Sequence, residues 1–184
     1  MIIILEGPDN AGKTSLAKHL EQHSRAGYFH PGGRPVNWDT ESACLYEQLS
    51  IAIGCGSVII DRATCISQTI YSPNTDFDLL RATFRQAMLD HCVLIYCRPS
   101  NERLMDVGNF TWRAEETEEH RQEIILNAHT FIERYDTLMQ TIPCISYDFA
   151  DMYAPAIRAK AVAALSGSSS DEQWFHNVVK MREW

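Results

Sequence analysis

The sequence predicts an α/β fold, a three-layer sandwich with a mainly parallel five-stranded sheet flanked by helices. Short apolar, β-branched runs recur along the chain with helical segments between them. The runs are apolar at nearly every position, as strands buried on both faces of a parallel sheet are. The first run also passes directly into a glycine-rich turn with a helix behind it, the strand–turn–helix order of such folds.

Residues 1–5 (MIIIL) form the first strand, and Gly7-Pro8-Asp9-Asn10-Ala11-Gly12-Lys13-Thr14 follows with the phosphate-binding spacing GxxxxGK[ST]. Gly7 and Gly12 permit backbone angles closed to other residues, so amide groups from Gly7 through Asn10, Ala11 and Gly12 can curl around a phosphate. Lys13 adds a mobile cation, the Thr14 hydroxyl can ligand Mg²⁺, and Ser15 opens a helix whose N-terminal partial charge faces the same anion. Residues 27–30 read as a second strand. It ends at Pro31-Gly32-Gly33-Arg34-Pro35, too rich in proline and glycine for regular structure.

Asn37 or Asp39 can cap a helix running to about Ile53 with Leu45, Leu49 and Ala52 on one face. Residues 57–60 are the next buried strand, and Asp61-Arg62 stands at its carboxyl end, where open α/β sheets bind ligands. The plain alternative is an ion pair that caps a helix. Helices are expected at 63–71 and 76–90, the second with a core stripe of Leu79, Leu80, Thr83, Phe84, Ala87 and Met88. Residues 91–97 make a fourth strand closed by Arg98-Pro99, and a short helix follows at 101–105. No helical periodicity is visible at 107–113, and a long helix begins near Thr117. Residues 142–147 form the last strand, placed at an edge because Pro143 lacks an N–H. An alanine-rich helix at 152–165, a flexible Ser-Gly link at 166–170 and an amphipathic tail complete the chain. The expected organisation is one domain over 1–165, with an acceptor-binding lobe at about 31–57 and a lid at about 107–118, then a linker and tail over 166–184. The tail reads as packed on the domain or on a second subunit.

The 184 residues suffice for one well-cored domain. The formal net charge of −8 repels bulk nucleic acid and suits small nucleotides escorted by Mg²⁺. Six cysteines without CxxC spacing read as core residues in a reducing cytoplasm. No apolar run is long enough to span a membrane, and the first is too short for a secretory leader.

Four segments in this order resemble the thymidylate kinase branch of the nucleoside monophosphate kinases. Glu6-Gly-Pro-Asp-Asn-Ala-Gly-Lys-Thr14 is similar to that family's phosphate loop, including the acidic Asp9. His30-Pro31-Gly32-Gly33 resembles its Pro-Gly-Gly loop, and Asp61-Arg62 with Ser67 and Tyr71 resembles its Asp-Arg motif. Arg113, ahead of the long helix that ends Ile132-Glu-Arg-Tyr-Asp136, resembles its arginine-bearing lid.

The resemblance implies an ATP- and Mg²⁺-dependent kinase acting on a deoxynucleoside monophosphate, most simply a pyrimidine such as dTMP, and a homodimer. Lys13, Arg62, Asp9 and Arg113 would be the catalytic set and Thr14 with Asp61 the metal ligands. Arg98 would lie by the adenine. Asp9, Pro31, Gly32, Arg34, Trp38, Tyr46, Asp61, Arg62 and Tyr71 would line the acceptor. Plainer readings stand beside these roles: a turn-stabilising Asx bond for Asp9, a solvated surface charge for Arg98 and an exposed lid-edge charge for Arg113.

The family's base-reading arginine has no counterpart, since residues 36–60 hold no Arg or Lys. Arg34, Arg81 and Arg85 remain as substitutes. A trimmed lobe also fits a bulkier acceptor, a hydroxymethylated pyrimidine within DNA, as in virus-encoded relatives of this kinase fold that would act in the host cytoplasm. Trp38 or Tyr46 would then serve as the stacking surface. A nucleotide-dependent regulatory switch is a third reading, although no guanine-specific [NT]KxD motif occurs.

Overall fold

The computed structural model describes residues 1–32, 35, 37–54, 56–106 and 117–180. Its centre is β1 (Ile2–Glu6), flanked on one side by β3 (Val58–Asp61) and on the other by β4 (Cys92–Cys97). Outside these lie β2 (Gly27–Phe29) and β5 (Ile145–Tyr147), so the order is β2-β3-β1-β4-β5 and every pairing is parallel. All five residues of β1 are buried because both faces are covered. Ile3 and Leu5 point into one core layer with Leu16, Leu20 and Ala161; Ile2 and Ile4 point into the other with Leu45, Ile66, Phe84 and Tyr135. The expected α/β three-layer sandwich is therefore present, and its sheet is wholly parallel.

The first layer is closed by α1 (Lys13–His23) and α7 (Ala154–Leu165). The second is closed by α2 (Trp38–Gly54), α3 (Thr64–Tyr71), α4 (Thr75–Leu89) and α6 (Glu118–Met139). A short α5 (Asn101–Leu104) and a terminal α8 (Ser169–Lys180) complete the described helices. Asn37 Oδ1 accepts from Thr40 N–H at 2.9 Å, and Asn74 Oδ1 accepts from Asp76 N–H at 3.1 Å. Asn37 and not Asp39 thus caps α2, and Asn74 starts α4.

Two expectations are corrected. On α4 the inward face carries Arg81, Phe84 and Met88, while Leu79 is 81% and Leu80 39% exposed. Arg81 takes a core position because Glu41 of α2 meets it there: Arg81 Nε and Nη2 donate to the two Glu41 oxygens at 2.6 and 2.9 Å. The Ser-Gly link is a hydrogen-bonded turn. Gly167 sits at φ 93, its N–H donates to Ala164 O at 3.1 Å and Ser168 N–H donates to Ala163 O at 3.0 Å. Those bonds satisfy the last carbonyls of α7 and turn the chain directly into α8.

Candidate active site

The site forms where the chain reverses direction across the sheet. Leu5 of β1 is in register with Asp61 of β3 and with Ile95 of β4, so the strand ends place the Gly7 turn beside Asp61-Arg62. Gly7 lies at φ 145, and a Cβ there would run into the backbone carbonyl of Cys97. Gly12 at φ 79 is the N-cap of α1 and offers no side-chain cap. The first-turn N–H groups of that helix thus face outward for an anion to accept.

Lys13 is 6% exposed, and its Nζ donates to Gly7 O at 2.8 Å and to Pro8 O. Burial, and then the neighbouring Arg62 charge, push its pKa down to about 8. Asp9 and Asp61 pull the other way without offsetting this, and a phosphate in the loop would add counter-charge. Thr14 Oγ1 donates to Asp61 Oδ2 at 3.1 Å, and Tyr28 Oη donates to the same oxygen at 2.9 Å. A hydroxyl and a carboxylate this close are hard oxygen donors of the kind Mg²⁺ takes alongside phosphate oxygens and waters. Thr14 and Asp61 therefore fit a magnesium ion. No cluster of three or more His, Cys, Asp or Glu that could hold a metal occurs among the described residues.

Arg62 adopts φ 78, uncommon for a residue with a side chain. Its Nη2 is ion-paired to Asp9, and its Nη1 donates to Tyr71 Oη at 3.2 Å and Tyr135 Oη at 3.1 Å. Tyr71 Oη in turn donates to Asp9 Oδ2 at 2.7 Å. Burial works against the guanidinium charge, but Tyr71, Asp9, Tyr135 and Glu6 outweigh it and hold its pKa above the ordinary value. The structure thus brings Asp9, Lys13, Thr14, Asp61, Arg62 and Tyr71 to one place, joined through α1, α3 and the ends of β1 and β3. The Asp61-Arg62 pair is not an ion pair with itself: each side chain turns to a different partner.

Pro31 and Gly32 follow β2 at the same edge of the sheet, where Phe29 is in register with Ile60. Trp38, at the start of α2, stacks flat on Phe77 with centroids 4.4 Å apart. Tyr46 does not reach the site. It is 64% exposed and packs edge-on against Phe84, on the side of α2 away from Gln48, whose amide bonds Arg62 O and Thr64 N–H. Two residues along a helix turn a side chain by about 200°. Arg98 is anchored at the carboxyl end of β4. Its Nε and Nη2 donate to Asp136 at 2.7 and 2.8 Å, and further donors go to Pro99 O and Asn101 Oδ1. It ties the end of β4 to α6 and is therefore no solvated surface charge. Arg81 is locked to Glu41, and Arg85 points to Cys65 O at 3.5 Å. Neither serves as the missing base-reading arginine. Arg34, Arg113 and the core of the expected lid lie outside the described residues.

Three features of the site escape the sequence reading. Glu6 is wholly buried at the root of the loop, and burial pushes its pKa up to about 6 against the pull of Arg62 and Lys13. Tyr135 belongs to the apolar stripe of α6 by spacing, yet its hydroxyl enters the Arg62 network. Phe149, 44% exposed, lies against the loop so closely that a Cβ on Gly12 would come within 3.3 Å of its ring, and Arg103 covers that ring at 4.9 Å. The one sequence signal for Glu6 is a charge closing an otherwise apolar buried strand.

No protein-family model and no curated protein matches the chain. Among solved structures it is similar to YorR protein from Bacillus subtilis, determined in complex with phosphorylated GDP. The TM-score is 0.56 at 17% identity, covering 100% of this chain and 96% of that one. Deoxyadenosine kinase from M. mycoides with bound dATP aligns at a TM-score of 0.49 and 20% identity, covering 87% of this chain and 98% of that chain. The same enzyme with dCMP and dCDP aligns at 0.43 and 15%, covering 90% and 96%. The likeness to YorR is one of fold, over essentially the whole of both chains.

Proposed function

We propose that the protein is an ATP- and Mg²⁺-dependent phosphotransferase that phosphorylates a deoxynucleoside monophosphate of pyrimidine type, such as dTMP. The observation that carries this reading is the convergence of Lys13, Thr14-Asp61 and Arg62-Asp9 around the Gly7–Gly12 turn. Phosphoryl transfer needs charge placed around the migrating group more than covalent chemistry, and these residues supply it. YorR, whose fold this chain shares, holds a phosphorylated guanine nucleotide, in keeping with a nucleotide here.

In this scheme the loop amides and the N-terminus of α1 bind the donor phosphates. Lys13 leaves the Gly7 and Pro8 carbonyls for the β and γ oxygens. Thr14 and Asp61 would hold Mg²⁺, which would supply neutralisation of phosphate charge when bound. Arg62, aimed by Asp9, Tyr71 and Tyr135, stabilises the charge that develops in transfer. The donor base packs against Phe149 beneath Arg103 in place of Arg98.

The carboxylates favour a monophosphate over a nucleoside as acceptor. Asp61 accepts from Thr14 and Tyr28, and Asp9 accepts from Arg62 and Tyr71. Both are engaged, so the acceptor suited to the site is one whose oxygen is already ionised and needs no base. The pyrimidine and the deoxyribose rest on the resemblance of the Pro31-Gly32 and Asp61-Arg62 segments.

A coupled assay with ATP tests the proposal against nucleosides, the common monophosphates and an oligonucleotide carrying a hydroxymethylated pyrimidine. Turnover of a deoxypyrimidine monophosphate is expected. Binding of ATP with no acceptor phosphorylated would overturn the enzyme reading in favour of a regulatory nucleotide binder, and label only in the oligonucleotide would move the acceptor to DNA.

A further inference from the structure

Glu6 has no part in the transfer scheme, yet its carboxylate is the most deeply buried charge at the site, with 0% of the residue exposed. Its Oε1 accepts from Ala63 N–H at 2.6 Å. Its Oε2 accepts from the Tyr135 hydroxyl at 3.0 Å and from Gly7 N–H at 3.3 Å. Each donor adjoins a working group. Ala63 follows Arg62 at its left-handed turn, Gly7 opens the phosphate loop, and the Tyr135 oxygen receives Arg62 Nη1 at 3.1 Å.

We propose that Glu6 is a positioning residue for phosphoryl transfer, fixing Arg62 at both ends, its backbone through Ala63 N–H and its guanidinium through the Tyr135 hydroxyl. The inference rests on the phosphotransferase reading above and concerns how that site is held.

Hydrogen-bond polarity explains why an acid is needed. A tyrosine hydroxyl has one proton, and a carboxylate only accepts. The proton of Tyr135 is therefore drawn to Glu6, leaving a lone pair for Arg62. An amide of the same size fails in both orientations. With its nitrogen toward Tyr135, the hydroxyl proton turns to face the Arg62 N–H. With its oxygen toward Tyr135, the amide nitrogen faces the Ala63 N–H. Either way a donor meets a donor in a site sealed from water, where an unmet group is costly.

The test is Glu6→Gln, alone and combined with Arg62→Ala, with Tyr135→Phe as the second route to the same contact. Glu6→Gln is expected to lower kcat about 10–100-fold while KM for ATP stays close to wild type. In the Arg62→Ala background the same change should have little further effect, because the residue through which it acts is gone. Tyr135→Phe should reproduce part of the loss, and adding Glu6→Gln to it should cost less than the two separate losses combined. Wild-type kcat in Glu6→Gln, or an equal loss with and without Arg62, would overturn the proposal. The Arg62 guanidinium resonance in ¹⁵N NMR gives an answer independent of turnover. Slow exchange in wild type that is lost in Glu6→Gln supports positioning, and unchanged exchange refutes it. If wild type phosphorylates no acceptor, the functional reading fails while this measurement still decides the role of Glu6.

Discussion

At the scale of single residues, Arg62 holds a backbone conformation that costs a side-chain-bearing residue roughly 1–2 kcal/mol, and it is retained by bonds to Asp9, Tyr71 and Tyr135. Arg62→Ala is expected to lower kcat by about 10²–10³, the loss typical of a donor aimed at developing charge. Lys13→Ala should abolish measurable turnover and leave the fold intact. Burial and Arg62 already depress the Lys13 pKa, so the fold gains nothing from its charge; steady-state assay and circular dichroism check both halves.

Glu6 gives a pH signature of definite sign. The charges and titrating groups facing it are Lys13 of α1, Arg62 beyond β3, Cys65 of α3, Cys97 of β4 and Tyr135 of α6. Its folded pKa, pushed up to about 6 from 4.5, lies above the unfolded value. Between those values the unfolded chain releases the proton while the native protein keeps it, so stability falls as pH rises, by about 2 kcal/mol in total, and levels off above 6. Denaturation of wild type and Glu6→Gln from pH 4 to 8 should show this difference open over that window. Parallel curves would contradict it. The same residue shows what the sequence conceals. Lys13 and Thr14 are legible because their spacing along the chain is their geometry. Glu6 and Tyr135 matter only because β1 and α6 pack together, 129 positions apart in sequence.

At the scale of elements, the strands and most helices are readable because burial on two faces imposes continuous apolar runs. α4 is read out of phase for the same reason: Leu79 and Leu80 are taken as core and Arg81 is left off the stripe. The Glu41–Arg81 pair inverts that assignment, with side-chain exposures of 6% and 2%. Two charges so placed stabilise the fold only as a pair, and removing one leaves the other buried. Arg81→Leu is therefore expected to destabilise by about 3–5 kcal/mol, and Glu41→Leu/Arg81→Leu to recover much of the loss. Urea unfolding measures both, and a double variant no more stable than the single would refute the pairing argument. The Ser-Gly link is not legible in the sequence because composition reports the unfolded preference of a segment, whereas Gly167 at φ 93 closes a cap on α7 that only neighbouring backbone reveals.

At the scale of the whole molecule, two poles of the sheet have separate duties. The strand carboxyl ends hold the loop, Asp61 and Arg62. The opposite pole is closed by α8, whose Glu172 lies 3.6 Å from the Met1 amino group and whose Trp174 packs on the first core layer with Lys160 4.7 Å from its ring. The parallel sheet places the start of β1 at this pole and its end at the site, so the C-terminal helix braces the strand whose far end carries the phosphate loop. Trp174→Ala removes a partly buried indole and with it the ring under the Lys160 ammonium, a loss of about 2 kcal/mol. For a chain of this size that corresponds to a melting point lower by about 4–8 °C. Below the new transition kcat should match wild type, because among the described residues α8 meets α7 and the start of β1, at the pole away from the loop. A drop in kcat at a temperature where the variant is fully folded would mean that the two poles are coupled through β1, and the separation of duties would fail.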